Sequence, residues 1–187
     1  MGKLIVISAP SGAGKTSIVR QLLKDMPELS FSVSASSRVM RENEVDGKDY
    51  YFLGVEEFQQ KIKEGAFVEW EQVYENQYYG TFKSEIERIS SEGRAVIFDV
   101  DVIGGLNIKH QYSRECLSIF IMPPSLKVLA ERLIGRGSES NESIKKRLDK
   151  AEEEISKNKQ FDIIILNDDF EIACEQTKEV ITNFIST

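Results

Sequence analysis

LIVISAPSGAGKTSIVRQLLKDM, residues 4–26, joins three unlike pieces of chain without a linker. Leu4 to Ile7 is short, apolar throughout and rich in β-branched residues, the composition of a strand buried on both faces. Thr16 to Met26 repeats apolar residues at helical spacing. Between them, Gly12 and Gly14 let the backbone curl so that consecutive N–H groups point into one concavity at a helix N-terminus, where an anion is favoured. Lys15 then reaches the β- and γ-phosphates of a nucleotide as a point charge, and the Thr16 hydroxyl binds Mg²⁺. The pattern G-x-x-x-x-G-K-[ST] is met except at its first position, where Ala9 replaces Gly. Ala tolerates positive φ poorly, but a residue at a strand's end need not be left-handed. The alternative is a chance glycine-rich turn, and the strand before and the helix after weigh against it.

Outward from this stretch the chain alternates strand and helix. FSVSA (31–35) and DYYFL (49–53) read as short strands, and VEEFQQKIKEG (55–65) as a helix with Phe58 and Ile62 on one face, stopped by Gly65. AFVEWEQVY (66–74) alternates as an antiparallel strand does, Gly80 marks a turn, and FKSEIERISSEG (82–93) is a helix ended by Gly93. AVIFDV (95–100), SIFIM (118–122) and FDIIIL (161–166) read as strands, separated by SLKVLAERLIGR (125–136) and a charged helix from about residue 140 to 157, with a last helix from Phe170. Four apolar strands, counting Leu4 to Ile7, with helices between them give an α/β fold, a parallel sheet wrapped on both faces. The segment from about Ser34 to Tyr79 breaks that rhythm and reads as a small insert carrying a second substrate.

Composition bounds the rest. At 187 residues and 41% hydrophobic content the chain buries one good core, and it holds no repeat, low-complexity tract or 18-residue apolar run. A net charge of −7 argues against a nucleic-acid or membrane-surface binder, so any phosphate site gathers its cations locally. Cys116 and Cys174 lack metal-ligand spacing and, with no secretory signal before the first strand, suggest a reducing cytoplasm. The single histidine, His110, sits among polar neighbours and is expected to face solvent, which leaves no role for histidine catalysis. Within the insert, Arg38, Arg41 and Tyr50 suit a clamp for a second phosphate, although a solvated loop is an equal reading of their spacing alone. Glu69, by its alternation, reads equally as an edge-strand charge.

SAPSGAGKT (8–16), SVSASSRVMR (32–41), EVDGKDY (44–50), FVEW (67–70), YYGT (78–81), IFDVD (97–101) followed by Gly104, IFIMPPS (119–125), RLIGRGSES (132–140) and ILNDD (165–169) recur in the order seen in guanylate kinases of the soluble bacterial type, and the resemblance covers essentially the whole chain. It implies a P-loop NTPase-type parallel sheet flanked by helices, with a small α+β GMP-binding insert and a helical lid. As one domain, 1–187, the core would be 1–33, 82–135 and 148–187, the insert about 34–81 and the lid about 136–147. The implied activity is transfer of a phosphoryl group from ATP to GMP, with dGMP as a further acceptor, Mg²⁺ as cofactor, and no nucleic acid or membrane partner. The resemblance assigns Ala9, Pro10, Ser11, Gly12, Ala13, Gly14, Lys15, Thr16, Asn167 and Asp168 to ATP. It gives the GMP phosphate to Arg38, Arg41, Tyr50 and Tyr79, and the guanine to Ser34, Glu69, Thr81 and Asp101. Thr16 and Asp99 would serve Mg²⁺, Asp99 alternatively capping the helix near Val102. Lys15 with Arg132, Arg136 and Arg147, the arginines brought onto ATP by the lid, would stabilise the transferring charge. Met40 stands where the family usually has Pro, Ser36 and Ser37 where Thr is common, and Ile103 where Gln is common.

The chemistry of the residue types agrees. Guanine offers N1–H and a 2-amino group as neighbouring donors, and a carboxylate is an acceptor-only partner with two oxygens. No general base is needed, because the nucleophile is an already ionised phosphate oxygen; the protein supplies charge neutralisation, alignment and exclusion of water. Gly47, Gly80 and Gly137 are candidate flexible points for closure. Two other classes fit parts of the pattern: a P-loop kinase for another acceptor, disfavoured by Glu69 with Asp101, and a non-catalytic interaction module of guanylate-kinase type, disfavoured by an intact Lys15 and Thr16.

Overall fold

β1 (Leu4–Ser8) is the centre of the molecule because both of its edges and both of its faces are covered. In the computed structural model, which describes residues 2–134 and 141–187, it lies between β7 (Ala95–Asp99) and β8 (Cys116–Met122), parallel to each, with Leu4 opposite Val96 and Cys116. β2 (Leu29–Phe31) pairs with β7 and β9 (Ile163–Leu166) with β8, giving a five-stranded parallel sheet of order β2-β7-β1-β8-β9. Successive side chains of a strand point to opposite faces. Ile5 and Ile7 therefore enter one core, with Ile18, Leu22, Ile119, Ile121 and Ile181, while Leu4 and Val6 enter the other, with Ile86, Ile89, Phe98 and Ile108. The first core is closed by α1 (Lys15–Asp25), α5 (Leu126–Ile134) and α7 (Phe170–Ile185), the second by α3 (Lys83–Ser91) and α4 (Val102–Tyr112). α6 (Asn141–Ser156) packs beside α5.

A second, four-stranded sheet of order β4-β3-β6-β5 stands apart from the first. It is built from β3 (Ala35–Ser36), β4 (Tyr51–Phe52), β5 (Phe67–Tyr74) and β6 (Gln77–Phe82), with α2 (Val55–Lys63) against it. Its core is aromatic: Phe58 is fully buried and stacks on Phe67 at 4.5 Å, and Phe67 stacks on Phe82 at 4.6 Å. Such rings contribute beyond the area they bury. Glu85 of α3 ties this unit to the main sheet, accepting from the Val33 N–H at 3.0 Å and the Tyr51 hydroxyl at 2.9 Å. Burial pushes its carboxyl up, but Arg88 and these donors outweigh that and hold it below its ordinary range.

Three expectations need correction. The main sheet has five strands rather than four, since Phe31, the first residue of the expected strand FSVSA, belongs to it: β2 (Leu29–Phe31) ends there and β3 begins at Ala35 in the other sheet. Gly80 is not a turn. It lies inside β6, where an added Cβ would come within 2.8 Å of the Glu69 carbonyl oxygen, so the glycine permits close strand approach; Asn76, at φ 57°, supplies the left-handed turn residue. Asp99 does not cap α4, because Asp101 does, accepting from the Gly104 N–H at 2.8 Å. His110 is exposed on α4, and both cysteines are free and buried.

Candidate active site

The loop between β1 and α1 is shaped by two glycines in the left-handed region, Gly12 at φ 92° and Gly14 at φ 98°. Ala9 does not share that conformation, which explains how the loop accepts a side chain there. Pro10 C=O accepts from the Ala13 N–H at 3.0 Å, closing the turn. From behind, the buried Asn167 donates through Nδ2 to Ala13 C=O at 2.6 Å. The loop opens on a cavity of about 300 Å³ lined by Ala9 to Gly12, Gly14 to Ser17, Asp101, Arg147, Lys150 and Glu154. α1 begins at Lys15, so the cavity lies where the helix presents its unpaired N–H groups.

Asp99, at the C-terminal end of β7, gathers the polar end of this loop. Its Oδ2 accepts from the Thr16 hydroxyl at 2.9 Å and its Oδ1 is ion-paired with Lys15 Nζ, which also donates to Val100 C=O at 2.8 Å. Ser8, the last residue of β1, donates to Asp101 C=O at 3.0 Å. The neighbouring ends of β1 and β7, with the start of α1, thus bring a cation, a hydroxyl and two carboxylates together at the carboxyl edge of a parallel sheet, the usual place for ligands in such sheets.

Beyond Asp99 lies a second cavity of about 150 Å³, lined by Ser34, Tyr50, Glu69, Glu71, Val73, Tyr79, Gly80, Asp99, Val100 and Asp101. Asp101 lines both cavities, so they adjoin. Glu69 accepts from the buried Thr81 hydroxyl at 2.7 Å. Burial pushes the Glu69 carboxyl up to about 7; the Asp101 charge adds to this and the Thr81 hydroxyl opposes it. The neighbouring Asp101 carboxyl, with burial, pushes the Glu71 carboxyl up to about 8. A Cβ on Gly104 would lie 3.0 Å from Glu69 Oε2 and 3.3 Å from Asp101 Oδ1, so the first turn of α4 is bare where those two carboxyls converge.

Above this cavity, Arg38 is held by Glu44 through Nη1 at 2.6 Å and Nη2 at 2.5 Å, and its guanidinium lies 5.1 Å from the Tyr50 ring centre and 5.3 Å from that of Phe52. Arg38 draws the Glu44 carboxyl down to about 2, and the Arg41 N–H, donating at 2.9 Å, adds to that. Tyr79 meets Tyr50 edge to face at 5.8 Å, and burial pushes the Tyr50 hydroxyl up. The Arg41 side chain is exposed. Arg132, on α5, donates through Nη2 to Asn167 C=O at 3.1 Å, and Arg147, on α6, donates to the Ser11 hydroxyl at 3.1 Å. Asp168 is exposed and lines neither cavity. Arg136 and Gly137 lie outside the described residues, as does the first half of the expected lid.

Sequence reasoning passed over Glu71, Lys150, Glu154 and Glu44. Glu71 carried a usable signal, because it stands two residues after Glu69 on an alternating strand and so shares its face. Asn167, assigned to ATP by the resemblance, has its buried side chain bonded to the loop at Ala13 C=O.

The family model described as guanylate kinase matches residues 1–184. The chain is 50% identical over 187 residues to the guanylate kinase of Porphyromonas gingivalis, covering 100% of both chains. It is 45% identical over 184 residues to that of Salinibacter ruber, covering 98% of this chain and 97% of the other. Among solved structures it is similar to guanylate kinase from Anaplasma phagocytophilum, with a TM-score of 0.77 and 28% identity over 97% of this chain and 85% of that one.

Proposed function

The chain belongs to the guanylate kinase family and catalyses ATP-dependent phosphorylation of GMP to GDP, and we propose that the two adjoining cavities divide that reaction between donor and acceptor. The observation that carries this is Asp101, which lines both, so a donor γ-phosphate and an acceptor phosphate meet beside one strand end. The loop from Ala9 to Thr16 cradles the ATP phosphates with its N–H groups. Arg38, Arg41, Tyr50 and Tyr79 hold the GMP phosphate, while Ser34, Glu69, Thr81 and Asp101 meet the guanine edge.

Two polyanions repel each other, so neutralisation is the main task of the protein. Lys15 is 19% exposed and already sits between the loop and Asp99, within a side chain's swing of the donor phosphates. Arg147, beside Ser11, approaches the same cavity from α6. Arg132, bonded to the Asn167 carbonyl, is assigned to the same task by the family resemblance, as is Arg136, which lies outside the described residues. The acceptor oxygen is ionised before the reaction, so no side chain abstracts a proton; alignment and exclusion of water complete the catalysis.

We infer Mg²⁺ as the cofactor. Thr16 Oγ1 and Asp99 Oδ2 are hard oxygen donors 2.9 Å apart at the foot of the loop, and Mg²⁺ in kinases is held by one or two such protein groups together with substrate phosphates. When bound, the ion neutralises and orients the phosphate oxygens. Among the described residues no helix is long and apolar enough to cross a membrane, and we place the enzyme in the cytoplasm with ATP, GMP and dGMP as its small-molecule partners.

Arg41→Met tests the division of labour by steady-state kinetics with each substrate varied in turn. The expected result is a rise in KM for GMP of at least about tenfold with KM for ATP little changed, the pattern of lost acceptor binding. Equal effects on both substrates, or a selective effect on ATP, overturn it.

A further inference from the structure

The chain crosses into the small sheet at one point and out of it at another, and Glu85 joins the two. Entry is at Val33. The Ser32 N–H still donates to Ile97 C=O of β7 at 3.0 Å, whereas Ser34 C=O already accepts from the Tyr51 N–H of β4 at 2.9 Å, so Val33 is the single residue between the sheets. Exit is at Phe82 and Lys83, where β6 gives way to α3, and Glu85 stands in the first turn of that helix. Glu85 is only 3% exposed. An ionised carboxylate offers about four acceptor sites, and here all four are taken. Oε1 accepts from the Tyr51 hydroxyl at 2.9 Å and Arg88 Nε at 3.0 Å, Oε2 from the Val33 N–H at 3.0 Å and Arg88 Nη2 at 3.0 Å. Arg88, on the same helix, compensates the buried charge and fixes its rotation, which leaves the other two bonds to hold the insert. Tyr51 also meets Phe82 edge to face at 5.8 Å, so entry and exit are tied to each other as well.

Val33, Tyr51 and Glu85 do not line the acceptor cavity, but each of the two residues that Glu85 holds has a chain neighbour that does: Ser34 follows Val33, and Tyr50 precedes Tyr51. Successive side chains of extended backbone point to opposite sides, so drawing Tyr51 toward α3 turns Tyr50 toward the cavity. We propose that Glu85 is a positioning residue for the acceptor: by holding the Val33 N–H and the Tyr51 hydroxyl on one immobile carboxylate, it sets where Ser34 and Tyr50 stand against GMP. Displacing a binding group by about 1 Å from a distance is enough to weaken such a site strongly. This role rests on the assignment of the cavity to GMP.

Tyr51→Phe removes one of the two bonds and Glu85→Ala removes both. Glu85→Gln can keep both, because its amide oxygen still accepts from Val33 and its N–H can donate to the Tyr51 hydroxyl, which accepts as well as donates. Scanning calorimetry gives the Tm of each variant, and steady-state kinetics and calorimetric GMP titration are run well below it, so that loss of folded protein does not enter. Should Glu85→Ala fail to fold, Glu85→Met, which fills the space without an acceptor oxygen, takes its place. Tyr51→Phe is expected to raise KM and Kd for GMP about fivefold and Glu85→Ala at least about tenfold, with KM for ATP within about twofold of the parent. Glu85→Gln is expected to stay within about twofold of the parent, and Tyr51→Phe to have no further effect in the Glu85→Ala background. A tie that served stability alone would lower Tm and leave this split between the substrates absent. The proposal is overturned if Tyr51→Phe and Glu85→Ala leave GMP binding unchanged or raise both KM values alike, if Glu85→Gln is no better than Glu85→Ala, or if the Tyr51→Phe effect persists in full without Glu85. The assignment of the cavity fails separately, if Glu69→Gln and Arg41→Met both leave KM for GMP unchanged.

Discussion

Gly14→Ala puts the loop's architecture under direct load. Gly14 sits at φ 98° and ψ 7°, where a β-carbon costs roughly 1–2 kcal/mol of backbone strain. The new Cβ would also lie 2.4 Å from Asn167 Nδ2, a separation no real contact has, so the amide must move. Asn167 is only 4% exposed and donates to Ala13 C=O at 2.6 Å; displacing it leaves a buried carbonyl short of a partner, at about 1–3 kcal/mol. The two terms together come to about 2–5 kcal/mol, and in a domain of this size that lowers Tm by roughly 4–20 °C. Differential scanning calorimetry on Gly14→Ala, Asn167→Ala and the double variant reads both terms. Asn167→Ala removes the obstacle, so the double variant should be more stable than the sum of the single effects by about 1 kcal/mol or more. A Tm shift under about 2 °C for Gly14→Ala, or strict additivity, refutes the argument that Asn167 props a strained glycine loop.

Lys15→Met should keep the parent's circular dichroism spectrum and lose at least about a hundredfold in kcat; a loss below about tenfold, or about 1.4 kcal/mol of barrier, removes the lysine from the reaction. Glu69 gives a pH signature whose sign follows from its burial. Its carboxyl titrates near 7 in the folded protein against an ordinary 4.5, so the native state keeps a proton that the unfolded chain releases. What this group contributes to stability is therefore fully present below pH 4.5 and lost as pH rises towards 7. GMP needs the ionised form as acceptor, so its KM should fall as pH rises from about 6 to 8, and Glu69→Gln should flatten the part of that profile not due to the phosphate of GMP, whose second ionisation lies near 6. A profile identical in both proteins shows that Glu69 does not meet the base.

What could be read from the sequence follows the range of the interaction involved. The strand, loop and helix of residues 4–26 are a local pattern, and the long apolar runs of β7 and β8 announce themselves by composition. β3 and β4 are two residues each, too short for any periodicity, and their parallel pairing is set by register across a sheet rather than by their own residues. Gly80 reads as a turn because glycine usually marks one, whereas its cause is the Glu69 carbonyl on the neighbouring strand. Asp99 and Asp101 both precede α4, and only the structure separates the helix cap from the partner of Lys15 and Thr16. Asn167 lies 154 residues from the loop it supports, beyond the reach of any local pattern. Glu71 is the instructive miss: the alternation of FVEWEQVY placed it beside Glu69, but only the structure shows that this face of β5 lines a cavity shared with Asp101.

The central claim is that buried carboxyls, rather than the shape of the cavity, choose the acceptor. The ratio of kcat/KM for GMP to that for AMP, measured at saturating ATP, tests it most directly. Adenine lacks both donors of the guanine edge and turns a lone pair toward the carboxylates, so the ratio should be at least about 10⁴ in the parent and should shrink sharply in Glu69→Gln. A parent ratio below about 10², the range that fit alone supplies, or a ratio that Glu69→Gln leaves untouched, contradicts the claim.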